Sequence, residues 1–177
     1  MKVTLIRHAQ TEDNFLRKIQ GRSNGLLNDT GRRQVLMLKM KISDNKYDHC
    51  YVSPLIRCME TAIVLVGDRV ELIKDDRLIE REMGELEGRP VDEYNAFRYW
   101  DYDMNKNDFG VESVHDVFKR CRSFLNEIKK KHSNESVIIV THSAPYRALR
   151  HLLLKHKISG KLLDGMIDNC QMEEFEI

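Results

Sequence analysis

The sequence has almost no net charge, because its 177 residues carry 29 lysines and arginines against 28 aspartates and glutamates. This balance excludes proteins that coat a nucleic-acid duplex or bind a membrane surface by charge alone. No apolar run approaches the roughly 18 residues of a membrane span, and charges at Lys2 and Arg7 make the first residues unlike a signal peptide. The four cysteines form no CxxC pair, so we expect reduced thiols in a cytoplasmic protein.

The sequence does contain a regular alternation of short apolar runs and amphipathic stretches. This alternation predicts an α/β fold with a mostly parallel sheet. No repeat or linker interrupts the chain, so we expect a single domain over residues 1–177. The predicted strands lie near residues 3–6, 48–53, 70–73, 136–141 and 173–177, and the predicted helices span 31–42, 55–66, 112–131 and 144–155.

The least regular part of the chain lies between residues 84 and 110. Six of the 13 aromatic residues fall between Tyr94 and Phe109, including the single tryptophan, Trp100. Such a segment is either a lid over a site, at about residues 89–110, or a satellite core. As a lid, its aromatic side chains favour a ligand with an apolar or ring component.

Polar residues follow three of the predicted strands. The first strand ends in Arg7 and His8, the second leads into a helix that carries Arg57, and the fourth ends in His142. Because the carboxyl ends of parallel strands form the ligand crevice of an open sheet, we expect these side chains to meet. Arginine matches phosphate oxygens, and imidazole acts as a nucleophile near neutral pH. With no P-loop and no paired Mg²⁺ carboxylates, the pattern predicts phosphoryl chemistry without a metal.

Several sequence blocks resemble, in order and spacing, the histidine phosphatase superfamily, the phosphoglycerate mutase-like group. The blocks are LIRHAQTEDN at 5–14, QGR at 20–22, LNDTGRRQ at 27–34, SPLIRCMETA at 53–62, LIEREMGELEG at 78–88, GVES at 110–113 and VTHS at 140–143. The resemblance runs the length of the chain and implies a three-layer α/β/α sandwich. Ala9 and Ser143 stand where the family usually or often has glycine, and neither change removes a reacting group.

The resemblance implies a phosphomonoesterase that works through a phosphohistidine and needs neither cofactor nor metal. In that mechanism His8 is the nucleophile, and Glu80 protonates the leaving oxygen and then activates water. Glu82 is the rival acid, but the motif alignment favours Glu80. The catalytic residues implied are Arg7, His8, Arg57, Glu80 and His142, and the phosphate- and substrate-binding residues are Arg7, Asn14, Gln20, Gly21, Arg57, His142 and Ser143.

The partner implied by the resemblance is a small-molecule phosphate ester, with no nucleic acid and no membrane involved. Small members of the superfamily act on sugar phosphates, phosphoglycerates, cofactor precursors such as α-ribazole phosphate, and phosphoproteins. The sequence does not predict which of these the protein uses, nor its oligomeric state.

Three alternative functions remain open at this point. The first is a phosphoglycerate mutase, although mutases of this family are longer and carry more arginines near the substrate than Arg89 and Arg98 supply. The second is a phosphate- or phosphoprotein-binding module without turnover. The third is a zinc site built from the two motif histidines and Glu80. The other histidines, interpreted as packing or surface residues, are His49, His115, His132, His151 and His156.

Overall fold

The centre of the molecule is a five-stranded sheet. Its strands are β1 (Lys2–Arg7), β2 (His49–Val52), β3 (Leu72–Lys74), β4 (Ser136–Thr141) and β5 (Met172–Glu176). They lie in the order β3-β2-β4-β1-β5. In the computed structural model, which describes all residues from 1 to 177, β1 is parallel to β4, β4 to β2, and β2 to β3. The last strand pairs with β1 in the antiparallel direction at one edge.

Helices cover both faces of this sheet. The six helices are α1 (Glu12–Phe15), α2 (Asp29–Lys41), α3 (Ile56–Val66), α4 (Ala96–Tyr99), α5 (Val114–Lys131) and α6 (Ser143–Leu153). Side chains of α5 and α6 form the larger hydrophobic core with one face, and those of α2 and α3 form a second core with the other. The prediction of a three-layer α/β/α sandwich with a mostly parallel sheet is therefore confirmed.

The alternation of side chains along the two central strands decides which core each residue joins. In β4, Val137 and Ile139 face α5 and α6, whereas Ile138 and Val140 face α2 and α3. All four are fully buried, which is why the strand is a continuous apolar run. Burial of each such side chain contributes about 1.5–3 kcal/mol to the stability of the fold relative to an exposed position.

The irregular segment between residues 84 and 110 folds as short 3₁₀ turns around α4. Its two ends touch, because a Cβ atom built on Gly84 would lie 2.1 Å from the carbonyl oxygen of Phe109. Tyr99 belongs to a small core of five buried residues, and Trp100 packs into the large core. Tyr99 and Leu86 are thus the residues of the segment that join this small core, whereas Phe97 and Phe109 are exposed.

No helix of the protein is both long and apolar enough to cross a membrane. The four cysteines are unpaired, with Cys50, Cys58 and Cys121 buried and Cys170 half-buried.

Candidate active site

The two motif histidines lie side by side at the carboxyl edge of the sheet. Strand β1 runs beside β4 with Arg7 opposite Thr141, so the residues that follow, His8 and His142, leave the sheet next to each other. Their ring centroids are 5.1 Å apart in an edge-to-face arrangement. Arg57 arrives from the first turn of α3, which follows the neighbouring strand β2.

A cavity of about 200 Å³ opens at this edge. Eight of the nine site residues expected from the sequence line it, whereas His142 is fully buried behind them. The eight are Arg7, His8, Asn14, Gln20, Gly21, Arg57, Glu80 and Ser143. Residues as far apart in the sequence as Arg7 and Ser143 therefore share one small polar cavity.

The ring of His8 is held in a single orientation with one nitrogen free. Its Nδ1 lies 2.7 Å from the carbonyl oxygen of Ala9, which can only accept, so Nδ1 carries the proton and Nε2 keeps its lone pair. Burial, together with the charges of Arg7 and Arg57, holds the pKa of His8 well below its usual range. The imidazole is thus neutral at pH 7, as a nucleophile must be. The backbone at Ala9 avoids positive φ, so alanine fits there.

Arg57 connects His142 to a neighbouring loop. Its Nε donates to His142 Nδ1 at 3.1 Å, while its two terminal nitrogens donate to the carbonyl oxygens of Ser23 and Gly21, each at 2.7 Å. Because Nδ1 accepts from an arginine, the ring proton of His142 lies on Nε2, which is 2.7 Å from Ser53 Oγ. The guanidinium is only 1 % exposed, so its orientation is set before any ligand binds.

Backbone amides at the start of α6 orient the carboxylate of Glu80. Its oxygens accept from the N–H groups of Ser143 and Ala144, both at 3.1 Å, and from that of Arg81 at 2.8 Å. Helix N-termini attract anions in this way. Glu82, the rival acid, instead pairs with Arg22 at 3.1 Å and does not line the cavity.

Two contributions to the site escaped the sequence analysis because they come from a loop without a motif, between α6 and β5. Asn169 donates to the carbonyl oxygen of His8 at 3.1 Å and to Asn14 Oδ1 at 3.0 Å. The carbonyl oxygen of Ile167 accepts from a terminal nitrogen of Arg7. These contacts fix the His8 backbone and turn the Asn14 amide so that its NH₂ group has no protein partner.

Unpaired buried donors are concentrated around the cavity. Five buried side-chain nitrogens have no hydrogen-bond partner, and three of them, Arg7 Nε, Gln20 Nε2 and Arg81 Nη2, belong to residues that line it. A buried donor without an acceptor is costly, so such groups call for a ligand that accepts. All three are donors and two carry positive charge, which fits an anion.

The same contacts argue against a zinc ion held by His8, His142 and Glu80. The Glu80 oxygens are occupied by amides, and both ring nitrogens of His142 contact Arg57 or Ser53. Two guanidinium groups beside the histidines would also repel a cation. These residues therefore do not fit a metal.

The free energy of unfolding is expected to fall as the pH drops from 7 to 5. Burial lowers the pKa of both His8 and His142, so below about pH 6.5 the unfolded chain binds two protons that the folded chain does not. Stability is complete above that pH, and each histidine removes up to about 1.4 kcal/mol per pH unit below it. Denaturant unfolding at pH 7, 6 and 5 measures the slope of the free energy of unfolding against pH. The slope should be about 1.4 kcal/mol per pH unit smaller in His8→Asn, and equal slopes would contradict a neutral, buried His8.

Comparison with known proteins agrees with this arrangement. The sequence model of the histidine phosphatase superfamily (branch 1) matches residues 3–177. Phosphoserine phosphatase 1 from Hydrogenobacter thermophilus is 35 % identical over 161 residues, which cover 87 % of this chain and 76 % of that protein.

Solved structures resemble the whole chain. Bacillus stearothermophilus YhfR superposes with a TM-score of 0.88 at 24 % identity, covering 99 % of this chain and 91 % of its own. A phosphoserine phosphatase from Entamoeba histolytica, solved as a mutant with phosphoserine, gives a TM-score of 0.86 at 26 % identity, covering 99 % and 90 %. The chain belongs to the histidine phosphatase superfamily, branch 1.

Proposed function

We propose that this protein hydrolyses small phosphate monoesters whose leaving group carries a carboxylate, through a phosphohistidine formed on His8. The observation that carries this proposal is the free Nε2 of His8 in a cavity with three unpaired buried donors. Phosphoryl transfer depends mainly on positioning and on stabilising charge, and these residues are suited to both.

In the first step, His8 Nε2 attacks phosphorus, the bond to the ester oxygen breaks, and Glu80 gives that oxygen a proton. Arg7, Arg57 and the Asn14 amide donate to the phosphoryl oxygens, and each such donor is worth about 3 kcal/mol in the transition state. In the second step, Glu80 takes a proton from water, whose oxygen attacks the phosphohistidine and releases inorganic phosphate and free His8.

Three further cavity residues are proposed to bind the phosphoryl group. Gln20 contributes its unpaired Nε2, and Gly21 and Ser143 form the adjoining walls. His142 contributes through the proton on Nε2, which a phosphoryl group beside His8 attracts away from Ser53 Oγ.

Arg81 supports the substrate class. It is 1 % exposed, lines the cavity and leaves Nη2 without a partner, while its Nη1 donates to the carbonyl oxygen of Tyr99 at 2.9 Å. It is therefore anchored to the 84–110 segment and, through Nε, to the carbonyl oxygen of Glu112 at 2.6 Å, and we place the leaving group beside it. A volume of about 200 Å³ equals about seven waters at roughly 30 Å³ each, which suits a short-chain ester.

The relatives named phosphoserine phosphatases support an amino-acid ester as the substrate. Of the aromatic residues in the segment, only Tyr94 and Trp100 line the cavity, so they supply an apolar wall but little room for a large ring. We propose that residues 89–110 cover this side of the cavity, within a single domain that spans residues 1–177. We also propose that the enzyme is cytoplasmic and that its partner is a small phosphate ester.

Phosphoserine and phosphoethanolamine differ by one carboxylate and test this class. We expect kcat/KM for phosphoserine to be about 10- to 150-fold higher than for phosphoethanolamine, because a hydrogen bond to a charged group contributes roughly 1.5–3 kcal/mol. In Arg81→Gln the ratio of the two kcat/KM values should approach one. Arg98→Gln, at an exposed position of the 84–110 segment, should keep the wild-type ratio.

Two outcomes would contradict separate parts of the proposal. Equal hydrolysis of both esters by the wild type would reject the carboxylate class but not the phosphatase. Isomerisation of 3-phosphoglycerate without release of phosphate would show a mutase instead.

A further inference from the structure

A second cluster of titratable groups lies at the opposite end of the sheet from the active site. His49 begins β2, His132 caps the end of α5, and Glu135 precedes β4. We infer that these three side chains form a binding site for a divalent transition metal of the Zn²⁺ type. The four residues of β2 alone separate this cluster from the catalytic edge by about 13 Å.

The three ligand atoms converge on one point. Glu135 Oε2 lies 2.7 Å from His49 Nε2 and 2.6 Å from His132 Nδ1, and all ligand atoms lie within 4.8 Å of one another. Two imidazoles and one glutamate are a ligand set that zinc uses, at bond lengths of about 2.0–2.2 Å. The two rings pack against each other with centroids 3.8 Å apart. An ion would therefore take the position beside their edges that Glu135 Oε2 now holds, and the carboxylate would move outward.

His132 is oriented for this role by a buried partner. Its second ring nitrogen, Nε2, is 2.8 Å from the hydroxyl of Tyr51. Tyr51 is 6 % exposed and packs edge-to-face on Phe124 at 5.3 Å, so its position is fixed by the core. Metal-binding histidines usually donate their other N–H to such a partner, which directs the free lone pair at the ion.

Access and donor type narrow the choice of ion. The side chain of Glu135 is 45 % exposed and that of His49 is 28 % exposed, so water can reach the site and supply a fourth ligand. Imidazole nitrogens favour zinc, copper, nickel or cobalt over magnesium or calcium, which require oxygen ligands. An ion here would tie together the start of β2, the end of α5 and the start of β4.

The polar groups of the cluster are also hydrogen-bonded when no ion is present. The positions of the ring protons therefore distinguish the metal-free state from the metal-bound state. In the metal-free arrangement both rings donate to Glu135, so His49 carries its proton on Nε2 and His132 carries its proton on Nδ1. With a metal bound, those nitrogens become ligands and the protons move to His49 Nδ1 and His132 Nε2. The two states therefore differ in which ring nitrogen of each histidine carries a proton.

Titration calorimetry of the full chain with Zn²⁺ tests the site. We expect the wild type to bind one equivalent, and His49→Gln and Glu135→Gln to bind at least tenfold more weakly. Both changes are at accessible positions and preserve hydrogen bonding, so the fold should survive. His115→Gln, which removes a histidine outside the cluster, is the matched control and should bind as the wild type does.

Nitrogen NMR of the histidine rings supplies a second readout. Zinc should change the shifts of His49 Nε2 and His132 Nδ1, and the thermal midpoint of the wild type, but not that of His49→Gln, should rise. Hydrolysis of p-nitrophenyl phosphate should be the same in His49→Gln and wild type. Equal zinc affinity in wild type and His49→Gln, or unchanged His49 and His132 ring shifts at saturating zinc, would overturn the inference.

Discussion

Replacing His8 with alanine is expected to lower the rate of p-nitrophenyl phosphate hydrolysis by about 10⁴-fold or more, as for other nucleophiles that act within a catalytic unit. The reason is that Nε2 of His8 is the free lone pair held beside Arg7 and Arg57, and its loss removes the covalent route. The remaining donors still bind phosphate, so KM should change far less than kcat.

A phosphoenzyme measurement distinguishes this role from a structural one. Wild-type protein mixed with labelled substrate and quenched in alkali should retain label on His8, and the His8→Ala protein should retain none. His156→Ala, which removes another histidine, is the control and should show wild-type rate and labelling. Equal activity of wild type and His8→Ala, or label on another residue, would refute the proposed nucleophile.

The Glu80→Gln variant is expected to reduce kcat for phosphoserine by about 10²–10⁴-fold, the usual contribution of a general acid or base. The glutamine oxygen can still accept from the N–H groups of Arg81 and Ala144, which both donate to Oε1 of Glu80. The side chain therefore keeps its place, although it loses the proton and the bond from the Ser143 amide to Oε2. Glu82→Gln breaks an ion pair with Arg22 at the surface of the same segment and should cost less than about tenfold.

The leaving group separates the two tasks assigned to Glu80. Nitrophenolate leaves without a proton, so Glu80→Gln should release one rapid equivalent of nitrophenol from p-nitrophenyl phosphate. Turnover should then slow, because water still needs a base in the second step. Rapid-quench kinetics measure this burst, and wild-type steady-state rates in Glu80→Gln would reject the assignment.

The central strands and the positions of the motif residues were predictable because both depend on short stretches of sequence. The run from Ser136 to Thr141 is apolar and β-branched, and it forms β4 within those bounds. A parallel sheet then delivers the residue after each strand to one edge, which is how His8 and His142 come to lie together.

The parts that were not predictable depend on contacts between distant segments. Asn169 reaches Asn14 across 155 positions, through a loop that has no periodicity and no motif. The cluster of His49, His132 and Glu135 likewise joins three elements, so no ligand spacing in the sequence marks it. Whether residues 89–110 formed a lid or a core was undecided because composition is the same in both cases.

The sheet edge and the segment between residues 84 and 110 each supply part of the cavity lining, and this arrangement affects how the enzyme's substrate preference can evolve. The groups proposed to handle phosphorus, such as His8 and Arg57, follow buried strands, where a substitution disturbs the core. Tyr94 lies on the segment, whose two ends touch at Gly84 and Phe109, and Arg81 precedes the segment and donates to its Tyr99 carbonyl oxygen. Substrate preference can therefore drift by substitution or exchange of one peripheral segment while the chemistry is inherited intact.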